Sequence, residues 1–257
     1  MTSPAPASEL ARIHGFLSAF TRRQAARTVD FPGGFAALDD AYARSRGNNH
    51  VLVDGSPDPE ALPGFADETM GHLSHRAVFV LDEKVATACL EPLSRAGFSS
   101  SATYLMRHTG SVPADGGARP VAVEALLGPT AASWRRLAPH VTEGQLHDLV
   151  ERRRVRTRGA DVVRFLASYA DDGEVAAWAD LYLDPASGVA QVEDLVTAQA
   201  HLGQGHAGAV LDTALRMAAD AGCTTRFLTA RPDDWPHRWY GRKGFEVAGT
   251  LTRFERV

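Results

Sequence analysis

The chain has 257 residues, 44% of them hydrophobic and 23% charged, and these fractions are ordinary for a globular protein. Its length suits one large domain or two small ones. The formal net charge of −4 argues against a nucleic-acid-binding protein, which usually presents a basic face. The chain does not begin with a secretory signal pattern, and no window approaches the roughly 18 apolar residues of a membrane span. We therefore expect a cytoplasmic protein with no nucleic-acid or membrane partner.

The first hundred residues alternate between helical and strand patterns. Apolar residues at helical spacing predict an amphipathic helix over residues 8–27, and the turn at 31–34 precedes a second short helix. Further patterns predict strands at 50–53, 77–81 and 98–106, and helices at 58–72 and 82–95. Residues 109–118 combine Gly, Pro and Ser without an apolar period, which is typical of a linker.

A second series of elements is predicted from residue 119. It comprises a strand at 120–126, helices near 130–138 and 142–157, strands at about 162–169, 174–183 and 189–197, a helix at 204–221, a strand at 225–230, a helix at 234–242 and a final β-hairpin around Ala248 and Gly249. The turns between the three central strands contain Asp, Gly and Pro, as hairpins require.

One stretch of this series predicts an anion site. A β-branched strand pattern ends near Thr197, the chain breaks at residues 201–205, and a helical pattern follows. Gly203 and Gly205 let the backbone approach a ligand closely because they carry no Cβ. The start of the helix adds free N–H groups and the positive end of its dipole, a combination that most often binds phosphate.

Two common phosphate motifs do not fit this stretch. A dinucleotide-binding fingerprint needs a third glycine in register and an acidic residue at the end of the next strand, and Gly208 is out of register. A P-loop needs Gly-Lys-Ser or Gly-Lys-Thr, which is absent from the sequence.

The residues instead resemble the GNAT superfamily of acyl-CoA N-acyltransferases. The glycine motif of that family falls on residues 202–207, with Leu202 in place of the usual Arg or Gln. Its strand motif, E-x-L-x-V, falls on residues 193–197, and its closing motif on Tyr240 followed by Gly244-Phe245. The resemblance covers roughly residues 119–257. It implies an α/β GNAT fold, in which helices flank a mixed and mostly antiparallel central sheet.

The resemblance also implies a co-substrate, acetyl-CoA. No metal is expected, because the sequence offers no suitably spaced set of ligands. Backbone amides of the loop would bind its phosphates, and the strand would pair edge-on with its pantetheine. A backbone N–H near Leu195 would face the thioester carbonyl oxygen, helped by a bulge in the strand. The residues assigned to CoA binding are Leu195, Val196, Thr197, Leu202, Gly203, Gln204, Gly205, His206, Ala207, Gly208 and Asp233, the last standing where the family often has Asn.

Two side chains are the predicted catalytic groups. Tyr240 matches the family position beside the CoA sulfur and is the expected general acid, against an alternative role in packing its helix. Glu193 is the candidate general base, acting directly or through water, against the alternative of a solvated carboxylate. Asp194 faces the other side of the strand unless a bulge intervenes.

The two halves of the chain also resemble each other at an offset of 147 residues. Ser56-Pro57-Asp58 then stands opposite the glycine motif, and Leu93 stands opposite Tyr240. A proline and an acid at that turn remove a donor and repel an anion. We therefore predict a tandem protein with two pseudo-repeated lobes: a degenerate lobe at 1–108, a linker at 109–118 and a catalytic domain at 119–257.

Several residues keep two interpretations. Trp178, Asp180 and Tyr182 share a strand face that lines either an acceptor pocket or the core. His201 and His206 are expected to be surface histidines of the loop, because no third metal ligand is suitably spaced. Cys89 and Cys223 are expected to be buried free thiols.

The predicted reaction is direct attack by a primary amine in a ternary complex, and the acceptor is a small molecule or a peptide. The alternative is a non-catalytic acyl-CoA-binding or scaffold protein. Homodimerisation stays open.

Overall fold

The computed structural model describes residues 6–257, with side chains from residue 9 onward. The helices are α1 (Pro6–Gln24), α2 (Leu62–Met70), α3 (Glu83–Arg95), α4 (Glu124–Leu137), α5 (Glu143–Glu151), α6 (His206–Asp220) and α7 (Pro236–Arg242), with short 3-10 helices at Asp40–Tyr42, Arg152–Arg158 and Gln199–His201. The strands are β1 (Arg27–Phe31), β2 (Gly34–Leu38), β3 (His50–Val53), β4 (Arg76–Val80), β5 (Ser99–His108), β6 (Arg119–Val121), β7 (Val162–Tyr169), β8 (Val175–Asp184), β9 (Val189–Thr197), β10 (Thr225–Ala230) and β11 (Phe245–Arg256).

Local sequence explains where several helices begin. Asp82 caps α3, because its side chain accepts hydrogen bonds from the N–H groups of Lys84 and Val85. Thr142 and Gln145 form a reciprocal capping box at the start of α5. Helices α3 and α5 therefore start at residues whose side chains satisfy otherwise unpaired N–H groups.

The chain divides into two compact units. The first contains the described chain up to Met106 together with Thr229–Arg242 and Glu246–Val257. The second contains Arg107–Leu228 and Lys243–Phe245. This division rests on compactness alone, so the assignment of catalysis to residues 119–257 stays a prediction.

The first unit is built on a mixed sheet with the strand order β1-β2-β3-β4-β11-β5. The pairs β1–β2, β2–β3 and β4–β11 are antiparallel, and β3–β4 is parallel. Its core packs the apolar strand residues against α2 and α3, where Leu62, Met70 and Leu93 are at most 1% exposed.

The second unit has the strand order β10-β9-β8-β7-β6. Only the β9–β10 pair is parallel, and the meander from β6 to β9 is antiparallel. One core cluster of this unit packs Leu126 of α4 on Phe165, Ala167 and Trp178 of the sheet. Each unit is thus a mixed, mostly antiparallel sheet with flanking helices, as the sequence predicted.

Two predicted elements are wrong. The short helix after residue 34 is strand β2, because its Ala-rich sequence is held in ladders by β1 and β3. The predicted final hairpin is the single strand β11, because residues 252–256 pair continuously with β4. Gly249 makes no turn there; a Cβ at that position would lie 2.8 Å from the side chain of Leu10.

The segment predicted as a linker is fastened to the second unit. The N–H of Ala118 donates to Thr213 of α6, and a Cβ on Gly116 would lie 2.1 Å from the carbonyl oxygen of Ala209. Close packing on α6 therefore requires glycine at position 116. This position lies in the segment whose sequence pattern predicted a linker.

Candidate active site

The ladder between β8 and β9 is interrupted near the end of β9. Two consecutive residues of β9, Asp194 and Leu195, oppose the single residue Ala179 of β8. Such a bulge leaves one residue unpaired and bends the strand. The parallel register with β10 ends at Val192, just before the bulge. The structure therefore confirms the bulge that the resemblance implied at Leu195.

Asp194 occupies an unusual backbone conformation at this bulge. Its φ is +49°, and among the described residues it is the one non-glycine residue with a positive φ. An L residue adopts this conformation only at some cost, so surrounding contacts must hold it. Arg156 supplies such a contact, because its Nη1 lies 2.7 Å from Asp194 Oδ2.

The same arginine belongs to a buried charge cluster beneath the strand. Arg156 Nη1 also lies 2.7 Å from Asp180 Oδ2, and Arg153 Nε lies 2.7 Å from Asp180 Oδ1. The hydroxyl of Tyr182 donates to Asp180 over 2.9 Å, and Arg153 donates to Thr130. Arg153 and Asp180 are 2% and 0% exposed, so the cluster replaces water with its own hydrogen bonds.

Burial and the charges in this cluster shift the pKa values of its ionisable side chains. Burial by itself would raise the pKa of the Asp194 carboxyl, but the guanidinium groups of Arg156 and Arg153 hold that pKa well below its usual range. Burial, reinforced by the charge of Asp180, raises the pKa of Tyr182 well above its ordinary value. The carboxylate therefore stays ionised and the phenol stays neutral.

The structure gives the residues of the β8 face different surroundings. Asp180 and Tyr182 belong to the buried charge cluster, whereas Trp178 lines a cavity of about 350 Å³ together with residues of α4 and the segment after β9. Trp178 Nε1 and the Oγ of Ser133, another lining residue, have no hydrogen-bond partner within the described part of the chain. The lining is mostly apolar, and Arg136 and Glu174 add charge to it.

The glycine loop that follows β9 is open. Gly203 and Gly205 have φ of +77° and +90°, which explains why glycine is needed at both positions. A Cβ at either position would meet nothing within 4 Å. The loop thus leaves its backbone accessible to a ligand.

The first turn of α6 continues this open surface. Gly205 is the N-cap and offers no side-chain cap, and the first turn contains no acid. Ala209 makes the first helical hydrogen bond, to the carbonyl of Gly205. The N–H groups of His206, Ala207 and Gly208 precede that bond and have no acceptor inside the helix. They form the positive end of a 15-residue helix, which suits an anion.

Lys243, which lies between α7 and β11 in the chain, packs against the first turn of α6. Lys243 Nζ lies 3.3 Å from the position that a Cβ on Gly208 would take and 3.4 Å from Asp212 Oδ2. The side chain is 32% exposed, so its ammonium group remains accessible. It adds a mobile positive charge beside the free N–H groups.

Other loop residues differ in exposure. Leu202 is 50% exposed, and Gln204 donates to the carbonyl of Ala200. His206 Nδ1 lies 2.9 Å from Ser168 Oγ. The expectation of a surface histidine is wrong for His201, whose side chain is 11% exposed because the 3-10 turn packs its ring 5.8 Å from that of His206.

Glu193 lies directly before the bulge. Its Oε2 accepts a hydrogen bond of 2.6 Å from Gln191 Nε2, and the side chain is partly buried. Leu195, Val196 and Thr197 follow and are also partly buried. The structure thus brings the predicted strand residues, the loop and the helix start into one continuous path.

Tyr240 and Asp233 lie in the other compact unit. Tyr240 is 8% exposed in α7, with its ring centroid 5.2 Å from that of Trp239. Asp233 is exposed and pairs with Arg231 at 2.8 Å, a hydrogen bond that lowers the pKa of its carboxyl. Their predicted roles in catalysis and CoA binding stay predictions.

Sequence reasoning missed two residues of this region. Lys243 is one of only two lysines in the chain and immediately precedes the Gly-Phe motif, which was a usable signal. Arg156 stands three residues after Arg153 in an arginine-rich run, a spacing that places both on one face of a helical turn.

The residues that the structure describes provide neither a metal site nor a membrane-spanning helix. Within residues 6–257, no group of His, Cys, Asp and Glu side chains is arranged to hold a metal ion. No helix in this same range is both long and apolar enough to cross a membrane. Cys89 and Cys223 are buried free thiols, as predicted.

Comparison with known proteins agrees with this geometry. Residues 130–245 match the family described as "Acetyltransferase (GNAT) family". A search of the curated proteins finds no match.

Solved structures resemble the chain over most of its length. A GCN5-related N-acetyltransferase from Kribbella flavida is 20% identical, with a TM-score of 0.64 over 95% of this chain and 94% of its own. One from Sphaerobacter thermophilus is 15% identical, with a TM-score of 0.57 over 99% and 94%. A conserved protein of unknown function from Staphylococcus epidermidis is 12% identical, with a TM-score of 0.63 over 90% and 93%.

At these identities the structural likeness concerns the fold alone, and the family match concerns residues 130–245. Residues 130–245 are therefore an acetyltransferase domain of the GNAT family, a family of acyl-transfer enzymes.

Proposed function

We propose that the protein is an N-acetyltransferase that moves an acetyl group from acetyl-CoA to a primary amine. The observation that carries this proposal is the open start of α6, where Gly203 and Gly205 leave accessible N–H groups directly after a bulged strand. Nucleotides such as NAD and ATP carry no thioester, so the bulge beside the loop favours acetyl-CoA over them.

The donor fits the residues present. The pyrophosphate of acetyl-CoA would accept hydrogen bonds from the first-turn N–H groups of α6, and Lys243 would neutralise part of its charge. The pantetheine would lie along the part of β9 beyond Val192, where the register with β10 has ended. The acetyl group would then lie close to the bulge.

The bulge supplies electrostatic stabilisation. When the amine attacks the thioester carbon, negative charge develops on the carbonyl oxygen. A backbone N–H that is fixed outside the ladder donates to that oxygen without reorganisation. We assign this role to the N–H at Leu195.

Proton transfers complete the reaction. Glu193, directly or through water, would accept a proton from the ammonium so that the neutral amine attacks, and Tyr240 would protonate the departing CoA thiolate. The nitrogen would release its second proton as the amide forms. The amine nitrogen forms the new bond to the acetyl carbon as the carbon–sulfur bond breaks. A cysteine acyl-enzyme is disfavoured, because both thiols are buried and burial raises the pKa of Cys89.

The acceptor is a compact amine in this proposal. The cavity of about 350 Å³ beside Trp178 is of a size that admits a small molecule or the end of a peptide. Its mostly apolar walls favour an apolar body, and of its two charged lining residues Glu174 would attract the ammonium while Arg136 would repel it.

The test is thermal unfolding with acetyl-CoA, CoA, NAD and ATP, followed by detection of free thiol while amines are screened. A ligand that binds only the folded protein at ~100 times its Kd adds roughly 2.7 kcal/mol of stability. Stabilisation by acetyl-CoA and CoA alone, with amine-dependent thiol release, is the expected result.

The rival function is a non-catalytic acyl-CoA-binding or scaffold protein. Tyr240→Phe separates the two, because an enzyme loses most of its turnover while keeping its affinity for CoA. Binding of acetyl-CoA without turnover of any amine, in the unsubstituted protein and the variant alike, would favour the scaffold.

A further inference from the structure

Arg156 ties the bulge of β9 to the neighbouring strand. A single guanidinium nitrogen lies 2.7 Å from Asp180 Oδ2 in β8 and 2.7 Å from Asp194 Oδ2 in the bulge. Arg153 Nη2 is more distant from Asp194, at 3.7 Å. Arg156 therefore makes the short contact that joins the two strands where their ladder is broken.

Within residues 6–257, this contact acts on the one non-glycine residue that has a positive φ. Asp194 has φ of +49°, which a residue with a Cβ adopts only when its surroundings fix it. The carboxylate that Arg156 binds belongs to that same residue. Release of the carboxylate would let the bulge relax toward ordinary strand geometry.

Arg156 binds Asp180, which several other contacts hold in place. Asp180 is fully buried and also binds Arg153 and Tyr182. Arg153 reaches onward to Thr130 in α4. Because a buried charge that loses its partner is strongly unfavourable, this network has little freedom to rearrange.

We propose that Arg156 and Asp194 are positioning residues, whose ion pair fixes the bulge of β9 so that its unpaired N–H meets the carbonyl oxygen of the donor thioester. This inference rests on the proposed function, since that function supplies the carbonyl. Neither side chain touches the reacting atoms in this role. Their effect passes through the backbone, so it concerns the transition state rather than the binding of the CoA portion.

The test compares four full-length variants. Asp194→Asn removes the charge but keeps a side chain that tolerates positive φ, and Asp194→Gly frees the backbone altogether. Arg156→Lys keeps the charge as the conservative rescue. The matched control is Arg154→Gln, which removes the ion pairs with Glu124 and Glu151 from the same 3-10 helix without touching the bulge.

Two readouts separate positioning from general stability. The first is the split between kcat and the KM for acetyl-CoA. The second is the infrared stretch of the thioester carbonyl in bound, carbonyl-13C-labelled acetyl-CoA, which shifts to lower frequency when an N–H donates to it. A purely structural role would lower thermal stability and leave the carbonyl stretch of the folded fraction unchanged.

We expect Asp194→Asn and Asp194→Gly to lower kcat by roughly 10- to 100-fold, part of the 10²–10³ that loss of an oxyanion donor costs. The KM for acetyl-CoA should change little, and the carbonyl stretch should move to higher frequency. Arg156→Lys, which keeps the charge, should show smaller changes in both readouts than the Asp194 variants, and Arg154→Gln should show neither change.

An unchanged carbonyl stretch in the Asp194 variants, or a loss of kcat no larger than that of Arg154→Gln, would overturn the positioning role while leaving the proposed function intact. If the unsubstituted protein binds no acetyl-CoA, both inferences are overturned together.

Discussion

The two units contain the same order of elements around one turn. In the first unit, β3 leads through residues 54–61 into α2 and then into the parallel strand β4. In the second unit, β9 leads through residues 198–205 into α6 and then into the parallel strand β10. The first of these turns is filled by its own unit. The carbonyl of Gly33 accepts hydrogen bonds from Asp54 and Gly55, and a Cβ on Gly33 would lie 2.5 Å from the backbone of Pro57. The β1–β2 hairpin thus occupies the space that a ligand would need.

The helix starts differ as well. Helix α2 has nine residues and carries proline in its first turn, which removes a donor. Helix α6 has 15 residues, a left-handed glycine at its N-cap and Lys243 beside its first turn. The same order of elements therefore supports a closed turn in one unit and an open turn in the other. What packs on a turn, rather than topology, decides whether a ligand could reach its backbone.

The largest expected effect comes from exchanging residues between the two turns. Gly205→Asp introduces the residue that stands at the corresponding position, 58, of the first unit. It strains a backbone at φ +90° and places a negative charge beside the phosphates, so acetyl-CoA affinity should fall by about 4 kcal/mol, roughly 1,000-fold. Isothermal titration calorimetry measures this loss of affinity for acetyl-CoA. The matched exchange Asp58→Gly should leave the affinity unchanged, and an equal loss there would contradict the distinction between the turns.

The next effect concerns the stability of the first unit. His50 in β3 is 3% exposed, and burial lowers its pKa from 6.5 to about 4. Its neutral form is stabilised in the folded state, so the unfolded chain binds more protons between those pH values. Stability is fully present above pH 6.5 and should fall by on the order of 3 kcal/mol as the pH drops from 6.5 to 4.

Urea unfolding at a series of pH values measures this slope. His50→Gln should flatten it in part, since burial also lowers the pKa values of His14 and His75. An unaltered slope in the variant would show that His50 does not carry the effect.

A smaller effect distinguishes the two lysines. Lys243→Gln removes the charge beside α6 and should weaken acetyl-CoA binding by about 1 kcal/mol, roughly fivefold, with less dependence on salt. Lys84→Gln, in α3 of the first unit, is the control and should bind acetyl-CoA normally. Equal affinities of the two variants would exclude Lys243 from the phosphate site.

The smallest expected effect is on unfolding stability and concerns the helix cap at Asp82 in the first unit. Asp82→Ala removes the acceptor for the N–H groups of Lys84 and Val85 and should lower unfolding stability by about 1 kcal/mol. Acetyl-CoA affinity, measured by titration of the folded protein, should stay the same. A parallel loss of affinity would mean that the first unit contributes to donor binding.

Much of the second unit was predictable because its signals are local. The alternation along β7, β8 and β9, the glycines at 203 and 205 and the apolar period of α6 each act over a few residues. The same holds for the caps at Asp82 and Thr142. One failure involves long-range pairing, because β11 is a single strand held by β4, which is distant in sequence. The other is local, because β2 forms a tight hairpin with β1 that the sequence analysis did not recognise.

By itself, the sequence determined the alternation of helices and strands, the glycine turn before α6 and the family resemblance, because short-range sterics and periodicity control these features. Only the tertiary structure decided that β11 pairs with β4, that Lys243 lies on the first turn of α6 and that Arg156 binds the bulge at Asp194. Those contacts join residues 35 to 180 positions apart. No local pattern encodes which partner a strand edge or a buried charge will find.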